Sequence, residues 1–223
     1  MKKGFNVAID GPAGAGKSTI AKRVAKELGF IYIDTGAMYR SMALKCVREN
    51  VNLSDEQAVV STCENVMVSI VYENGEQQVI LDGENVSGLI RTQEVGNAAS
   101  TISTYGPVRE KLVKLQKELA EVSDVIMDGR DIGTCVLPNA QVKIYLTASS
   151  RVRAERRYKE YIEKGMEADI DVIEKEIIER DYRDMNRAIS PLKQADDAVL
   201  LDSSYMNIDE VVNKMLEIIR NAM

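Results

Sequence analysis

Short apolar runs recur along the chain at 7–9, 31–33, 125–127, 142–146 and 198–201, bounded by polar residues such as Asp, Gly or Ser. Amphipathic stretches lie between them. Runs of this length suit strands buried on both faces, and the intervening stretches suit helices. The alternation predicts an α/β fold, a doubly wound parallel sheet of about five strands with flanking helices. Ligands would bind at the C-terminal ends of its strands. One segment breaks the alternation. Residues 66–72 read as a strand, Asn74-Gly75 as a hairpin turn, 78–81 as a second strand and Asp82-Gly83 as a further turn. A small antiparallel β insertion is therefore expected. Pro107 then opens a long helix with Val108, Leu112, Leu115, Leu119 and Val122 at heptad-like spacing. The run is too short for a coiled coil, so this helix should pack on the chain's own core. Residues 208–223 form another amphipathic helix.

Composition narrows the chemistry. The chain has 223 residues, of which 45% are hydrophobic and 29% charged, enough for one sizeable core. We expect a single domain over 1–223. The chain has no Trp and only 2 Phe, so that core must be built from aliphatic residues, Met and Tyr. It contains no His, which removes His-based acid–base catalysis, Ser-His triads and His metal sites. A net charge of −6 argues against non-specific nucleic-acid binding, so the basic residues matter by position. Cys46, Cys63 and Cys135 are far apart in sequence and odd in number, and read as reduced thiols of a cytoplasmic protein. The apolar run after Met1-Lys2-Lys3 is too short for a signal peptide, and no run is long enough to span a membrane.

The strongest chemical signal follows the first predicted strand. Gly11-Pro12-Ala13-Gly14-Ala15-Gly16-Lys17-Ser18 is G-x-x-x-x-G-K-[ST], and a helix-forming stretch, 17–28, leads out of it. Glycines let the backbone turn its N–H groups toward phosphate oxygens, and the helix presents its positive N-terminus to the same anion. Lys17 can reach the β- and γ-phosphates, and the Ser18 hydroxyl can ligate Mg²⁺. The stretch from Gly11 to Thr19 is thus the candidate ATP site.

Four further groups surround this reading. Thr35 and Arg40 follow the second strand, where a hydroxyl and a guanidinium suit a second phosphate; Asp34 or Thr35 also suits a helix N-cap. The run 125–127 ends in Asp128-Gly129-Arg130-Asp131, and apolar residues followed by Asp128 resemble a Walker B strand, whose acid holds Mg²⁺ directly or through water. Arg151, Arg153, Arg156 and Arg157 cluster on one predicted helix, with Arg153 and Arg157 on a shared face. They suit either a lid over triphosphate or a solvated helix face. Arg180, Asp184 and Arg187 fall at i, i+4 and i+7 of another helix, with Arg183 close by. They suit either phosphate and sugar binding or a surface salt-bridge ladder.

Together these residues resemble the nucleoside monophosphate kinases, most closely the bacterial cytidylate kinases. The resemblance rests on the phosphate loop and on Asp34-Thr35-Gly36-Ala37-Met38-Tyr39-Arg40, Ile90-Arg91-Thr92-Gln93-Glu94-Val95, Asn97-Ala98-Ala99-Ser100, Asp128-Gly129-Arg130-Asp131-Ile132-Gly133-Thr134 and Arg183-Asp184-Met185-Asn186-Arg187. It implies that Thr35, Arg40 and Arg130 hold the acceptor phosphate and that Ser100, Arg109 and Asp131 read cytosine. It gives Arg180, Asp184 and Arg187 to ribose and phosphates, and Arg153 and Arg157 to a short lid over 149–166. The β-rich region over 62–100 resembles that family's enlarged monophosphate-binding insertion. Lys17, Asp128, Arg130 and Arg180 are the implied catalytic set, with Ser18 on the metal. Position 35 is Thr where some members have Ser, which keeps the hydroxyl, and Arg151 is given no role.

The residue chemistry agrees. Cytosine offers an N4 donor and N3 and O2 acceptors, which a carboxylate and a guanidinium match; uracil reverses the polarity at positions 4 and 3. The implied reaction is ATP + CMP ⇌ ADP + CDP, with dCMP as the expected second substrate and a monomer as the expected state. The alternatives are a kinase of UMP, AMP or shikimate, and a regulatory GTPase or binding module. Against the last, Asn213-Lys214-Met215-Leu216 misses the guanine-reading Asn-Lys-x-Asp at its final position, and no Asp-x-x-Gly switch is present.

Overall fold

A computed structural model of the chain describes residues 4–73 and 76–223. The expected strands form. β1 (Asn6–Asp10), β2 (Ile31–Asp34), β6 (Val125–Gly129), β7 (Val142–Thr147) and β8 (Val199–Asp202) make a five-stranded sheet in the order β2-β6-β1-β7-β8. β1 lies parallel to both β6 and β7, with Ile9 opposite Asp128 on one side and Ile144 on the other. All five residues of β1 and of β6 are buried, so a near-continuous apolar run is what such strands require.

The chain divides into two compact units, Met1–Tyr32 with Ser123–Met223, and Ile33–Val122. In the first, α1 (Lys17–Leu28) buries Ile20, Ala21, Val24 and Ala25 along one stripe and packs on α8 (Ile208–Arg220). Gly29 at φ 70 ends α1, its N–H bonded to the Ala25 carbonyl, a left-handed cap that glycine adopts without steric cost. Asn207 and Glu210 start α8 with a reciprocal capping box. Val7, Ile9, Val24, Ile144, Leu146, Met215 and Ile219 share the core. β6 runs into a single π turn, Ile132–Val136. After β7 come α6 (Ser150–Glu163) and α7 (Ile170–Asn186), packed through Ala154, Ile173 and Ile177 with Tyr158 and Tyr161 beside them.

The second unit holds α2 (Thr35–Arg48), α3 (Glu56–Glu64), the antiparallel strands β3 (Val68–Glu73), β4 (Glu76–Leu81) and β5 (Glu84–Asn85), then α4 (Gln93–Ile102) and α5 (Gly106–Glu121). The antiparallel insertion is therefore present. Its second turn forms at Asp82-Gly83, both residues at positive φ (50 and 88). The Asn74-Gly75 turn lies outside the described residues.

α5 departs from the expected stripe. It buries Val108, Arg109, Leu112, Gln116 and Ala120, whereas Leu115 and Leu119 are half-buried and Val122 is 77% exposed. An i, i+4 progression replaces the heptad-like one, because the stripe follows residues that fit against the unit and includes two polar ones. Apolar spacing alone could not reveal Arg109 and Gln116. No described helix is long and apolar enough to cross a membrane.

Candidate functional site

In the first unit the loop between β1 and α1 has the backbone that its glycines permit. At Gly11 (φ 149), a β-carbon would lie 1.9 Å from the Leu146 carbonyl oxygen, so no other residue fits. Gly16 takes φ 88 at the start of α1, where no side chain caps the helix and no acid occupies its first turn. Such an N-terminus suits an anion. Lys17 is buried and donates from Nζ to the carbonyls of Gly11 and Pro12 at 2.7 and 2.8 Å. Burial, and then Arg130, push its pKa down to about 7, against the pull of Asp128, Asp10 and Asp184. Thr19 lies exposed in the first turn.

The Ser18 hydroxyl donates to Asp128 Oδ2 at 3.0 Å, and the Tyr32 hydroxyl to Asp128 Oδ1 at 2.7 Å. A hydroxyl and a carboxylate converging beside a phosphate loop are hard oxygen donors of the kind Mg²⁺ takes, with phosphates and water completing its shell. Tyr32 is a site residue that sequence reasoning missed. It stands in the middle of the apolar run 31–33 and reads as core, yet its hydroxyl aims the Asp128 carboxylate.

Asp10, the last residue of β1, was also missed. Its buried carboxylate accepts from the backbone N–H groups of Ile132 and Gly133 at 2.8 and 2.7 Å. Burial raises its pKa to about 6, with the two backbone hydrogen bonds pulling the other way.

Arg130 Nε donates to Asp184 Oδ2 at 2.8 Å. Burial works against the Asp184 carboxylate, but Arg130, Arg180 and Arg187 outweigh it and hold its pKa below the ordinary value. Asp131 pairs with Arg187 Nη2 at 3.4 Å. The expected single stripe of Arg180, Asp184 and Arg187 is corrected here. α7 ends at Asn186, and Arg187 is extended (φ −65, ψ 143), so only Arg180 and Asp184 share the helix. Arg187 instead turns its Nε to the Ser190 carbonyl at 2.6 Å. Pro191, which disfavours helix before it, was the available signal.

The arginine cluster divides by burial. Arg153 is buried, its guanidinium donating to Ala148 O and Ala13 O, each at 2.9 Å, and pairing with Asp181 at 2.6 Å. It clamps the phosphate loop and does not lie on a solvated face. Arg156 reaches the Ala15 carbonyl at 3.5 Å and the Ser203 carbonyl at 2.8 Å, a role sequence reasoning missed. Arg157 is half-buried, and Arg151 joins α6 to α7 through Asp171 and Glu174.

In the second unit Asp34 caps α2, accepting from Ala37 N at 2.8 Å, and its other oxygen accepts from Arg40 Nη2 at 3.0 Å. A β-carbon at Gly36 would lie 3.0 Å from Arg40 Nη1, so glycine makes room for the guanidinium. Thr35 is buried at the first position of α2, and Ser100 is half-buried on α4. Arg109 lies buried over the Tyr39 ring, 5.8 Å from its centroid, and donates to the Ser103 carbonyl at 3.4 Å. Cys46 and Cys63, distant in sequence, meet at 3.8 Å between their sulfurs; all three cysteines are free.

Comparison with known proteins places this geometry in a family. The sequence signature described as Cytidylate kinase matches residues 7–221. A cytidylate kinase of Ligilactobacillus salivarius is 50% identical over 219 residues, covering 98% of each chain. One of Lactobacillus johnsonii is 52% identical over 223 residues, covering 98% of this chain and 97% of that one. Among solved structures, a gluconokinase from Sinorhizobium meliloti superposes with a TM-score of 0.51 at 12% identity, over 99% of this chain and 94% of that one, a likeness of fold alone. With phosphate loop, metal-suited oxygen pair and arginine–carboxylate pairs in place, and near-full-length relatives at about half identity, the chain belongs to the cytidylate kinase family.

Proposed function

We propose that the chain moves the γ-phosphoryl group of ATP to CMP, giving ADP and CDP, and accepts dCMP as a second substrate. The observation that carries this reading is the convergence of Lys17, Ser18 and Asp128 at an uncapped helix N-terminus, in a chain of this family. The nucleophile is a CMP phosphate oxygen, already ionised near pH 7. No strong base is needed, which suits a chain without His. Catalysis then consists of positioning and charge neutralisation.

Lys17 leaves its loop carbonyls for the transferring phosphate. Ser18, with Asp128, is suited to Mg²⁺, which when bound neutralises charge on the β- and γ-phosphate oxygens. Thr35, Arg40 and Arg130 hold the acceptor phosphate. Asp131, Ser100 and Arg109 read the base. Arg180, Asp184 and Arg187 serve ribose and phosphates. Arg153 contributes on the ATP side by fixing the Ala13 carbonyl, and Arg157 belongs to the same 149–166 lid. The enzyme works on small molecules as a cytoplasmic monomer.

A coupled assay of ADP formation against CMP, dCMP, UMP, AMP and shikimate tests the reading. CMP should give the highest kcat/KM, dCMP should follow, and ATP without acceptor should barely be hydrolysed. A higher kcat/KM for another acceptor, or rapid hydrolysis without one, would overturn it.

A further inference from the structure

Asp10 carries a charge where the fold makes charge costly, and among the described residues no cationic side chain is bonded to it. Its two oxygens are spent on the consecutive N–H groups of Ile132 and Gly133, at 2.8 and 2.7 Å. These N–H groups open the π turn Ile132–Val136, whose N-cap, Asp131, makes no side-chain capping bond of its own. A helical turn leaves its first N–H groups without intrahelical partners, because no turn precedes them, and a local Ser, Thr or Asp normally meets them. Here a carboxylate from 122 residues earlier in the chain does so. The Asp131 side chain is thereby spared capping duty.

The surroundings hold this arrangement from both sides. Asp10 stands opposite Gly129 in the β1–β6 register, so it spans the two residues, Arg130 and Asp131, that project between strand and turn. A β-carbon at Gly133 would lie 3.4 Å from Asp10 Oδ2 and 3.1 Å from Lys143 Cδ. Lys143 cannot easily retreat, since its Nζ is bonded to both oxygens of Asp197 at 2.9 and 2.8 Å. A side chain at Gly133 would thus press on the pinned Lys143 stem beside the Asp10 carboxylate.

We infer that Asp10 is a positioning residue that aims Asp131 and Arg130, and so sets the enzyme's choice of cytosine over uracil without touching the base. This rests on the CMP kinase reading above. A donor–acceptor match with a base depends on a few tenths of an ångström; the two tethers fix the backbone of the turn that carries Asp131, while Arg187 holds its side chain. Both tethers run to the turn after β6 and not to the phosphate loop, so their loss should appear on the acceptor side.

The test is parallel kinetics on CMP and UMP for wild type, Asp10→Asn, Asp10→Ala and Gly133→Ala, each first shown to melt cooperatively. Asp10→Asn keeps one acceptor oxygen and sets an amide NH₂ against the other N–H. Its CMP-to-UMP ratio of kcat/KM should fall about tenfold. Asp10→Ala, with neither tether, should fall further. Gly133→Ala attacks the tether from its other end and should move the ratio in the same direction by a smaller factor. In Asp10→Asn and Gly133→Ala, KM for ATP should stay within about twofold of wild type. Should Asp10→Ala not fold, the other two decide. An unchanged ratio in Asp10→Asn and Gly133→Ala, with both acceptors slowed equally, would make Asp10 a merely structural residue and overturn the inference while leaving the substrate reading intact. Wild type without preference for CMP would overturn the substrate reading, and this inference with it.

Discussion

Lys17 shows how function and stability diverge at one residue. Its ammonium is buried, and burial holds its pKa down at about 7, which means the fold disfavours the charge. Lys17→Ala should therefore keep or raise the melting midpoint, while turnover falls by about two to four orders of magnitude because one charge at the transferring phosphoryl group is lost. Melting curves and initial rates on the same preparation check both halves. Near-normal turnover would remove the phosphate loop from the mechanism. Asp10 gives the opposite pH signature to a salt-bridged carboxylate. Its folded pKa, about 6, lies above the ordinary 3.8, so between these values the folded protein binds the proton that the unfolded chain has released. The stability contribution of this group is full below the ordinary value and declines as pH rises through about 6. Asp131 pushes that pKa up and Lys17 pulls it down, but burial is the largest cause. Asp10→Asn does not titrate. The unfolding free energy of wild type relative to Asp10→Asn should therefore grow by about 1 kcal/mol between about pH 7 and about pH 5. Urea melts of both proteins at the two pH values would read this directly, and a difference that does not change with pH would contradict a buried, ionised Asp10.

At the scale of elements, local signals and long-range contacts part company. α1, the five strands and the phosphate loop are legible because period, caps and glycines are all local in sequence. The α5 stripe is not, since burying Gln116 and Arg109 depends on what the unit offers them. Nor is the end of α7, where the chain turns out of the helix to send Arg187 toward Ser190. α6 is legible as a helix rich in arginine, but the use of each arginine is not. The buried Arg153–Asp181 pair decides one of them. Removing one partner of such a pair leaves the other charge buried, so Asp181→Ala should cost about 3 kcal/mol of unfolding free energy in urea melts. A loss below about 1 kcal/mol would place this pair with ordinary surface ion pairs. Ligand response belongs at this scale too. A kinase must exclude water once both nucleotides are bound. Backbone amides in 62–100 and 149–166 should gain protection from exchange with CMP and a non-hydrolysable ATP analogue present. Unchanged protection in both segments would count against a monophosphate clamp and a lid.

Across the whole molecule, carboxylates each govern an arginine or a turn: in the first unit Asp184 with Arg130, Asp131 with Arg187 and Asp10 with the N–H groups of Ile132 and Gly133, and within the second Asp34 with Arg40. Most of these residues could be named from motifs. Most of their pairings could not, because Arg130 and Asp184 lie 54 positions apart and Tyr32 and Asp128 lie 96 apart. The pairings sharpen the test of base choice. Asp131→Asn can keep its hydrogen bond from Arg187 through the amide oxygen, so the turn should stay in place. Its amide can also rotate to present a donor, which suits O4 of uracil and opposes N4 of cytosine. We expect kcat/KM for CMP to fall by about one to two orders of magnitude, with UMP hurt less or helped, the range that one misplaced hydrogen bond accounts for. Asp184→Ala acts elsewhere. It releases Arg130 from its only carboxylate hydrogen bond among the described residues and removes a group proposed to serve the ribose. CMP and dCMP should weaken while the preference for cytosine over uracil stays at its wild-type value. Kinetics on CMP, dCMP and UMP with both variants separate the two roles. An equal loss for CMP and UMP in Asp131→Asn would mean that Asp131 orders the turn without reading the base, and base choice would then have to come from elsewhere in the chain.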